Sequence, residues 1–248
     1  RYPLVTGVQT CALPIFTKKI LVEKPLGTNL SECLSIQNFF DTSNLFVSSP
    51  IRYMRGFKIF SSQCDTAHPN YFDFTNHSWL PSWRKIKYSN SYSADPRQGG
   101  VLRDCSHELD VALELAGIPK SISYKSFSGK DLLGIPVEAT VNLNFASTIN
   151  KSNLSLSFQN ETLSRVYKVR NSEYSVNWDL LLGKIEIADF KKHRNSLFSV
   201  APLKIEKNNW LLLQVNSIIN ENDTLQKPLN YVSALNTIRL IEIGRAHV

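Results

Sequence analysis

The spacing of apolar and polar residues changes along this chain, and the changes mark its parts. Phe16–Val22 (FTKKILV) is a short β-prone run, stopped at Glu23-Lys24-Pro25. Thr28 or Asn29 can cap a helix that begins near Leu30 with Glu32 in its first turn. Leu30, Cys33, Leu34, Ile36, Phe39 and Phe40 keep an apolar stripe that predicts helix through Asp41. Leu45–Ser49 reads as a second strand, followed by Pro50-Ile51-Arg52-Tyr53. A strand, helix and strand in this short space predict the end of a parallel α/β unit.

Beyond that point the pattern alters. Met54–Ser62 predicts a helix and Tyr71–Trp79 a strand. Pro81 to Gly100, rich in Ser, Pro, Tyr and basic residues, predicts a long ordered loop, and loops of that length in compact domains are usually functional. Gly99-Gly100 opens an apolar-periodic stretch, Val101 to Ala116, closed by Gly117 and Pro119 and predicted as one helix. Six β-prone runs follow: Ser121–Ser128, Val137–Phe145, Asn153–Phe158, Ser164–Arg170, Tyr174–Trp178 and Lys184–Phe190. Turn signals at Asn160-Glu161 and Gly183 divide them, so a largely antiparallel sheet is expected. Trp210–Asn220 and Leu229–Glu242 are expected as closing helices. The fold class is therefore α/β passing into α+β.

Composition narrows the setting. The 248 residues are 42% hydrophobic and 20% charged, enough to bury a substantial core. No apolar run is long enough for a transmembrane helix, so no membrane partner is expected. Four scattered cysteines (Cys11, Cys33, Cys64, Cys105) form no C-x-x-C pair, which argues against a disulfide framework and for a reducing, cytoplasmic setting. A net charge of +7 could suggest nucleic acid, but Lys and Arg are spread without a basic block, so no nucleic-acid partner is expected. His68, His77 and His193 stand outside any ligand spacing, and no metal is expected. The ends differ from the rest. Residues 1–15 (RYPLVTGVQTCALPI) and 243–248 (IGRAHV) resemble translated sequencing-adapter read-through rather than a signal peptide. The expected organisation is then a remnant of a dinucleotide-binding domain over 16–50, with a substrate and oligomerisation domain over 51–242.

Three separated segments carry a resemblance. Val22-Glu23-Lys24-Pro25-Leu26-Gly27 ends a strand, and Trp79-Leu80-Pro81-Ser82-Trp83-Arg84 enters the long loop. The third is Gly99-Gly100-Val101-Leu102-Arg103-Asp104-Cys105-Ser106-His107-Glu108-Leu109-Asp110, with Leu115-Ala116-Gly117 after it. Together they resemble the Gfo/Idh/MocA oxidoreductases, the family of glucose–fructose oxidoreductase and inositol dehydrogenase. The S-H-E-L-D variant is similar to bacterial members found in surface-sugar gene clusters. The resemblance runs from Thr17 to Glu242. It implies a Rossmann remnant followed by an α+β domain, and hydride transfer between a sugar or nucleotide-sugar carbon and C4 of NAD or NADP. The Gly-rich turn that cradles the cofactor phosphates in the family is missing from this sequence, so the chain alone is expected to be inactive, a truncated part of its parent.

Oxidising a secondary alcohol needs a base for the hydroxyl proton while hydride leaves the same carbon. The resemblance gives that role to His107, with Lys24 beside the nicotinamide and the reacting hydroxyl and Asp104 supporting them. Many family members carry an aspartate four residues before the histidine. Here that position is Arg103 and the acid is Asp104, three before. Glu23, Lys24, Pro25 and Arg52 are implied cofactor contacts, and Tyr53, Trp83, Arg84 and Asp110 substrate contacts. An indole can stack on a sugar face and an arginine can hold a carboxylate or phosphate. Bland readings compete: a packed helical histidine, a surface lysine, core tryptophans, and an Asp110 paired with a basic residue. Glu108 is expected to point away and be solvated. A sugar substrate and a homo-oligomeric parent, dimer or tetramer, complete the expectation. The alternative is a non-catalytic sugar- or partner-binding module of the same fold.

Overall fold

The computed structural model describes residues 12–15, 19–64, 68–206, 209–220 and 227–245. Most of the unusual first segment, residues 1–11, and residues 246–248 of the tail lie outside the described residues. Two sheets organise the chain. The smaller contains β1 (Ala12–Ile15), β2 (Lys19–Val22), β3 (Leu45–Val47) and, near the end of the chain, a short strand at Leu229–Asn230. β2 and β3 are parallel and joined through α1 (Leu30–Ser35), as the sequence predicts. Asn29 is the cap: its Oδ1 accepts from the Glu32 N–H at 2.8 Å, and the Glu32 carboxylate accepts from the Thr28 N–H at 3.2 Å. The helix is shorter than its apolar stripe. It stops at Ser35 and tightens into a 3-10 turn, leaving Phe39 and Phe40 exposed.

After a 3-10 turn at Pro50–Tyr53 and α2 (Arg55–Ser62), β4 (Tyr71–Trp79) enters the larger sheet. Next come α3 (Val101–Asp104), α4 (Ser106–Ala116), β5 (Ser121–Ser128), α5 (Lys130–Leu133), β6 (Glu138–Ala146), β7 (Lys151–Ser157) and β8 (Gln159–Arg170). They are followed by β9 (Tyr174–Asp179), β10 (Lys184–Asp189), β11 (Arg194–Ser199), α6 (Leu203–Glu206) and α7 (Trp210–Ile219). After these, β12 (Leu229–Asn230) pairs with β3 and α8 (Tyr231–Arg245) closes the fold. The larger sheet has eight strands in the order β11-β10-β9-β8-β4-β7-β6-β5, antiparallel except for β4 against β7.

Alternation along these strands buries one face. Phe72, Phe74, Leu154, Leu156, Tyr167, Val169, Val176 and Trp178 point to the helices, while Asp73, Asn153, Lys168 and Asn177 alternate to the other side. Phe60 of α2 lies 6.1 Å from Trp178, and Tyr167 meets Trp178 edge-on at 5.5 Å. Gly56 lets α2 approach this cluster, since a Cβ there would run into the Trp178 indole.

Four expectations need correction. The stretch 101–116 is two helices, broken at Cys105 (φ −93°, ψ 25°). Asn160-Glu161 lies inside β8, and the chain reverses at Phe158. Leu229 belongs to a strand, so the last helix starts at Tyr231. β11 is an additional strand at the sheet edge, whose mostly exposed residues give no burial pattern to read.

Candidate active site

The site forms where the small sheet meets the first turns of α3 and α4. In open parallel sheets, ligands bind outside the carboxyl ends of the strands. Glu23-Lys24-Pro25 leaves that end of β2, and Ser48-Ser49 leaves that end of β3. The Lys24–Pro25 peptide is cis. Lys24 Nζ donates to the Asp104 carbonyl oxygen at 2.6 Å, joining segments 80 residues apart. Glu23 is exposed.

The Gly99-Gly100 turn sets the position of α3. Gly100 has φ +105°, and any Cβ there would run into the Glu138 carboxylate. That carboxylate, from β6, faces the Leu102 N–H at the start of α3, and burial pushes its pKa up. The break at Cys105 then sets the rotation of α4 relative to α3.

His107 lines a narrow cleft with Lys24, Pro25, Ser106, Asp110 and Thr237, among others. Its imidazole makes no hydrogen bond to a described residue. Burial, with the positive charges of Lys24 and Arg165, holds its pKa well below the ordinary 6.5, so the ring is neutral at pH 7. Asp104 is the opposite case: burial raises its pKa, although Lys24, Arg84 and the facing hydroxyls of Ser93 and Tyr92 pull it down. Neither Asp104 Oδ2 nor the Ser93 hydroxyl completes a hydrogen bond of good geometry. A neutral base and a fixed cation thus meet in one cleft, and the same cation acts on an acid whose Oδ2 has no partner among the described residues. Such an arrangement can accept a proton from a hydroxyl and stabilise the charge that develops on its oxygen.

Arg52 and Asp110 come together, but with each other. Arg52 Nε and Nη2 donate to the two Asp110 oxygens at 2.9 and 2.6 Å, and both side chains are 4% exposed. The Ser49 hydroxyl also donates to Asp110, and Arg52 Nη1 reaches Glu114 at 2.7 Å. Both Asp110 oxygens are therefore engaged, as in its bland reading, and the pair fastens α4 to the turn after β3. Tyr53 is buried beside it. Trp83, 37% exposed, packs edge-on against Phe158 at 5.1 Å. Arg84 lies over the Tyr92 ring, its Cζ 4.4 Å from the centroid, at the rim near Asp104.

Glu108 overturns its expectation of solvent exposure. It is 0% exposed, and Oε1 accepts from Arg165 Nε at 2.7 Å and from the Tyr167 hydroxyl at 2.9 Å. The break at Cys105 turns this position toward β8. Sequence reasoning also passed over Ser106, Thr237, Tyr92 and Ser93. Tyr92 and Ser93 lie in the loop flagged for its length, whereas nothing in the sequence marks Thr237.

Among the described residues, no group of three or more His, Cys, Asp or Glu could hold a metal, and no helix is long and apolar enough to cross a membrane.

No family model matches the sequence, and no curated protein does. Solved structures do match. UDP-N-acetylglucosamine 3-dehydrogenase from Acidithiobacillus ferrooxidans superposes with a TM-score of 0.68 at 15% identity, covering 92% of this chain and 69% of that one. The fold is that of the Gfo/Idh/MocA-type oxidoreductases. An inositol dehydrogenase homologue from Azotobacter vinelandii, complexed with NAD+, matches at 0.68 and 12% identity, over 90% of this chain and 68% of its own. A dehydrogenase from Clostridium difficile matches at 0.68 and 18%, over 93% and 71%.

Proposed function

We propose that this chain is the substrate-facing part of an NAD(P)-dependent oxidoreductase that moves hydride between nicotinamide and a sugar or nucleotide-sugar hydroxyl. Residues 16–50 contribute the end of the dinucleotide-binding domain, and 51–242 the substrate and oligomerisation domain of a homo-oligomer. The observation that carries the reading is the meeting of Lys24 and His107 in one cleft, brought there from the end of β2 and from α4.

The residues present fit the nicotinamide end of such a cofactor. Lys24 and the ends of β2 and β3 form the strand-end edge where ligands of open parallel sheets sit, whereas no Gly-rich phosphate turn occurs in this sequence. The cofactor, when bound, supplies the acceptor for hydride from the sugar carbon. His107, neutral at pH 7, takes the hydroxyl proton. Lys24, held by the Asp104 carbonyl, places positive charge beside the developing alkoxide. Asp104 Oδ2 is free to accept from a second sugar hydroxyl. Trp83 and Arg84 at the rim contact the rest of the substrate, Arg84 taking a carboxylate or phosphate. Arg52 and Asp110 position α4 behind them.

The test is nicotinamide reduction by the gene product that carries this chain, assayed against free and nucleotide-linked sugars. His107→Ala and Lys24→Ala are each expected to lower kcat about 10²- to 10⁴-fold. Full activity in both variants removes the mechanism. Sugar binding with no nicotinamide dependence supports the non-catalytic module instead.

A further inference from the structure

The cleft below His107 contains a second polar site that the proposed mechanism leaves unused. Ser106 and Thr237 both line it, from the first turn of α4 and the middle of α8. They are 3% and 6% exposed, and neither hydroxyl has a hydrogen-bond partner among the described residues. A buried polar group without a partner costs roughly 1–3 kcal/mol, so two such hydroxyls in one cleft favour a bound partner there. Apolar atoms of Leu26, Leu229, Ala234 and Ile238 form most of the remaining wall. The room it leaves for a water-sized molecule is about 10 Å³, close to the least that holds one water.

We propose that Ser106 and Thr237 bind a single structural water that also hydrogen-bonds the His107 imidazole, making Thr237 a positioning residue for that ring. A site for water needs two to four polar partners, and the two hydroxyls with one imidazole nitrogen supply three. The opposite ring nitrogen is then left to face substrate. Which nitrogen of a neutral imidazole carries the proton is set by the partner of the other, so the water fixes the tautomer. Asp110, also on the wall, has both oxygens committed to Arg52 and Ser49. The charged groups that face His107 are Lys24 from the turn after β2 and Arg165 from β8, with Asp110 of its own helix lining the same cleft. The bound water rests on the cavity alone; only its effect on turnover rests on His107 as the proton acceptor.

The test compares Thr237→Val, which keeps the shape and removes the hydroxyl, with Ser106→Ala and the conservative Thr237→Ser. The readouts are water-to-protein NMR exchange contacts at the His107 ring and the nitrogen shifts and titration of that imidazole. Wild type and Thr237→Ser are expected to show a long-lived water contact and one dominant tautomer. Thr237→Val and Ser106→Ala are expected to lose the contact and to show mixed tautomers, with the fold retained by circular dichroism. In the active protein they lower kcat and displace the pH profile while KM stays near wild type. No water contact in wild type, or an unchanged imidazole spectrum in both hydroxyl-free variants, overturns the proposal. Loss of the water contact and mixed tautomers in the two variants of a protein without oxidoreductase activity would sustain the water site and fail only the reading of His107 as a base.

Discussion

Two charged clusters lie on consecutive turns of α3 and α4, and they are built on opposite plans. In one, Glu108 is held by Arg165 and Tyr167, and Asp110 by Arg52 and Ser49. Each acid there touches its cation. In the other, Lys24 donates to a backbone carbonyl, His107 has no hydrogen-bond partner among the described residues, and the Asp104 carboxylate forms no ion pair with a described residue. A low-dielectric site rewards completed pairs and penalises open ones. The first cluster therefore fastens the helix to its surroundings, and the second is left with bonding capacity for a ligand.

The comparison breaks most sharply at Glu108. Glu108→Ala strands Arg165 beneath the sheet, and chemical denaturation is expected to show a loss of about 3–5 kcal/mol. A loss below about 1 kcal/mol would mean that the two clusters do not differ in kind. Asp110→Asn is expected to cost less, roughly 2–3 kcal/mol, because Glu114 still neutralises Arg52. Urea unfolding of that variant beside Asp104→Asn separates the fastening acid from the open one.

The smallest effects are in pH dependence. The folded-state pKa of Asp104 is above its ordinary 3.8, so Asp104 costs stability once pH rises through 3.8 and then through the folded value. Asp104→Asn removes that cost. Its melting temperature is expected to exceed wild type at pH 7, the advantage vanishing below pH 3.8. His107 is shifted the other way, below 6.5, so its neutral form favours the fold above 6.5 and that contribution fades as pH falls. Melts from pH 7 to 4 should therefore fall less steeply for His107→Ala than for wild type.

Much of the fold was legible because its signals are local. The strands of the large sheet alternate, Pro25 and Gly117 punctuate, and Asn29 caps α1 as its residue type allows. The junction of Lys24 with the helix that carries His107 was legible through motif spacing. What escaped depends on distant partners. Glu108 is buried by Arg165, 57 residues away, and Arg52 meets Asp110 across 58. The break at Cys105 interrupts no apolar pattern, since Val101, Leu102, Leu109 and Ala112 are buried on both sides of it. Thr237 sits in an otherwise ordinary helix, and only the packing of α8 against α4 brings it to the cleft.

The Gly99-Gly100 turn has a meaning for exchange of parts. The loop before it hangs from two fixed posts. One is the Leu80 N–H on the Phe158 carbonyl at 3.0 Å, and the other is the Gly100 N–H on the Ser93 carbonyl at 2.9 Å. Because Glu138 seats the turn from below, α3 starts at the same place whatever the outer loop contains. Residues 85–87, all exposed, can thus vary, letting selection or an engineer alter which molecules are admitted while Arg84, Tyr92 and the proton-handling residues beneath stay in register.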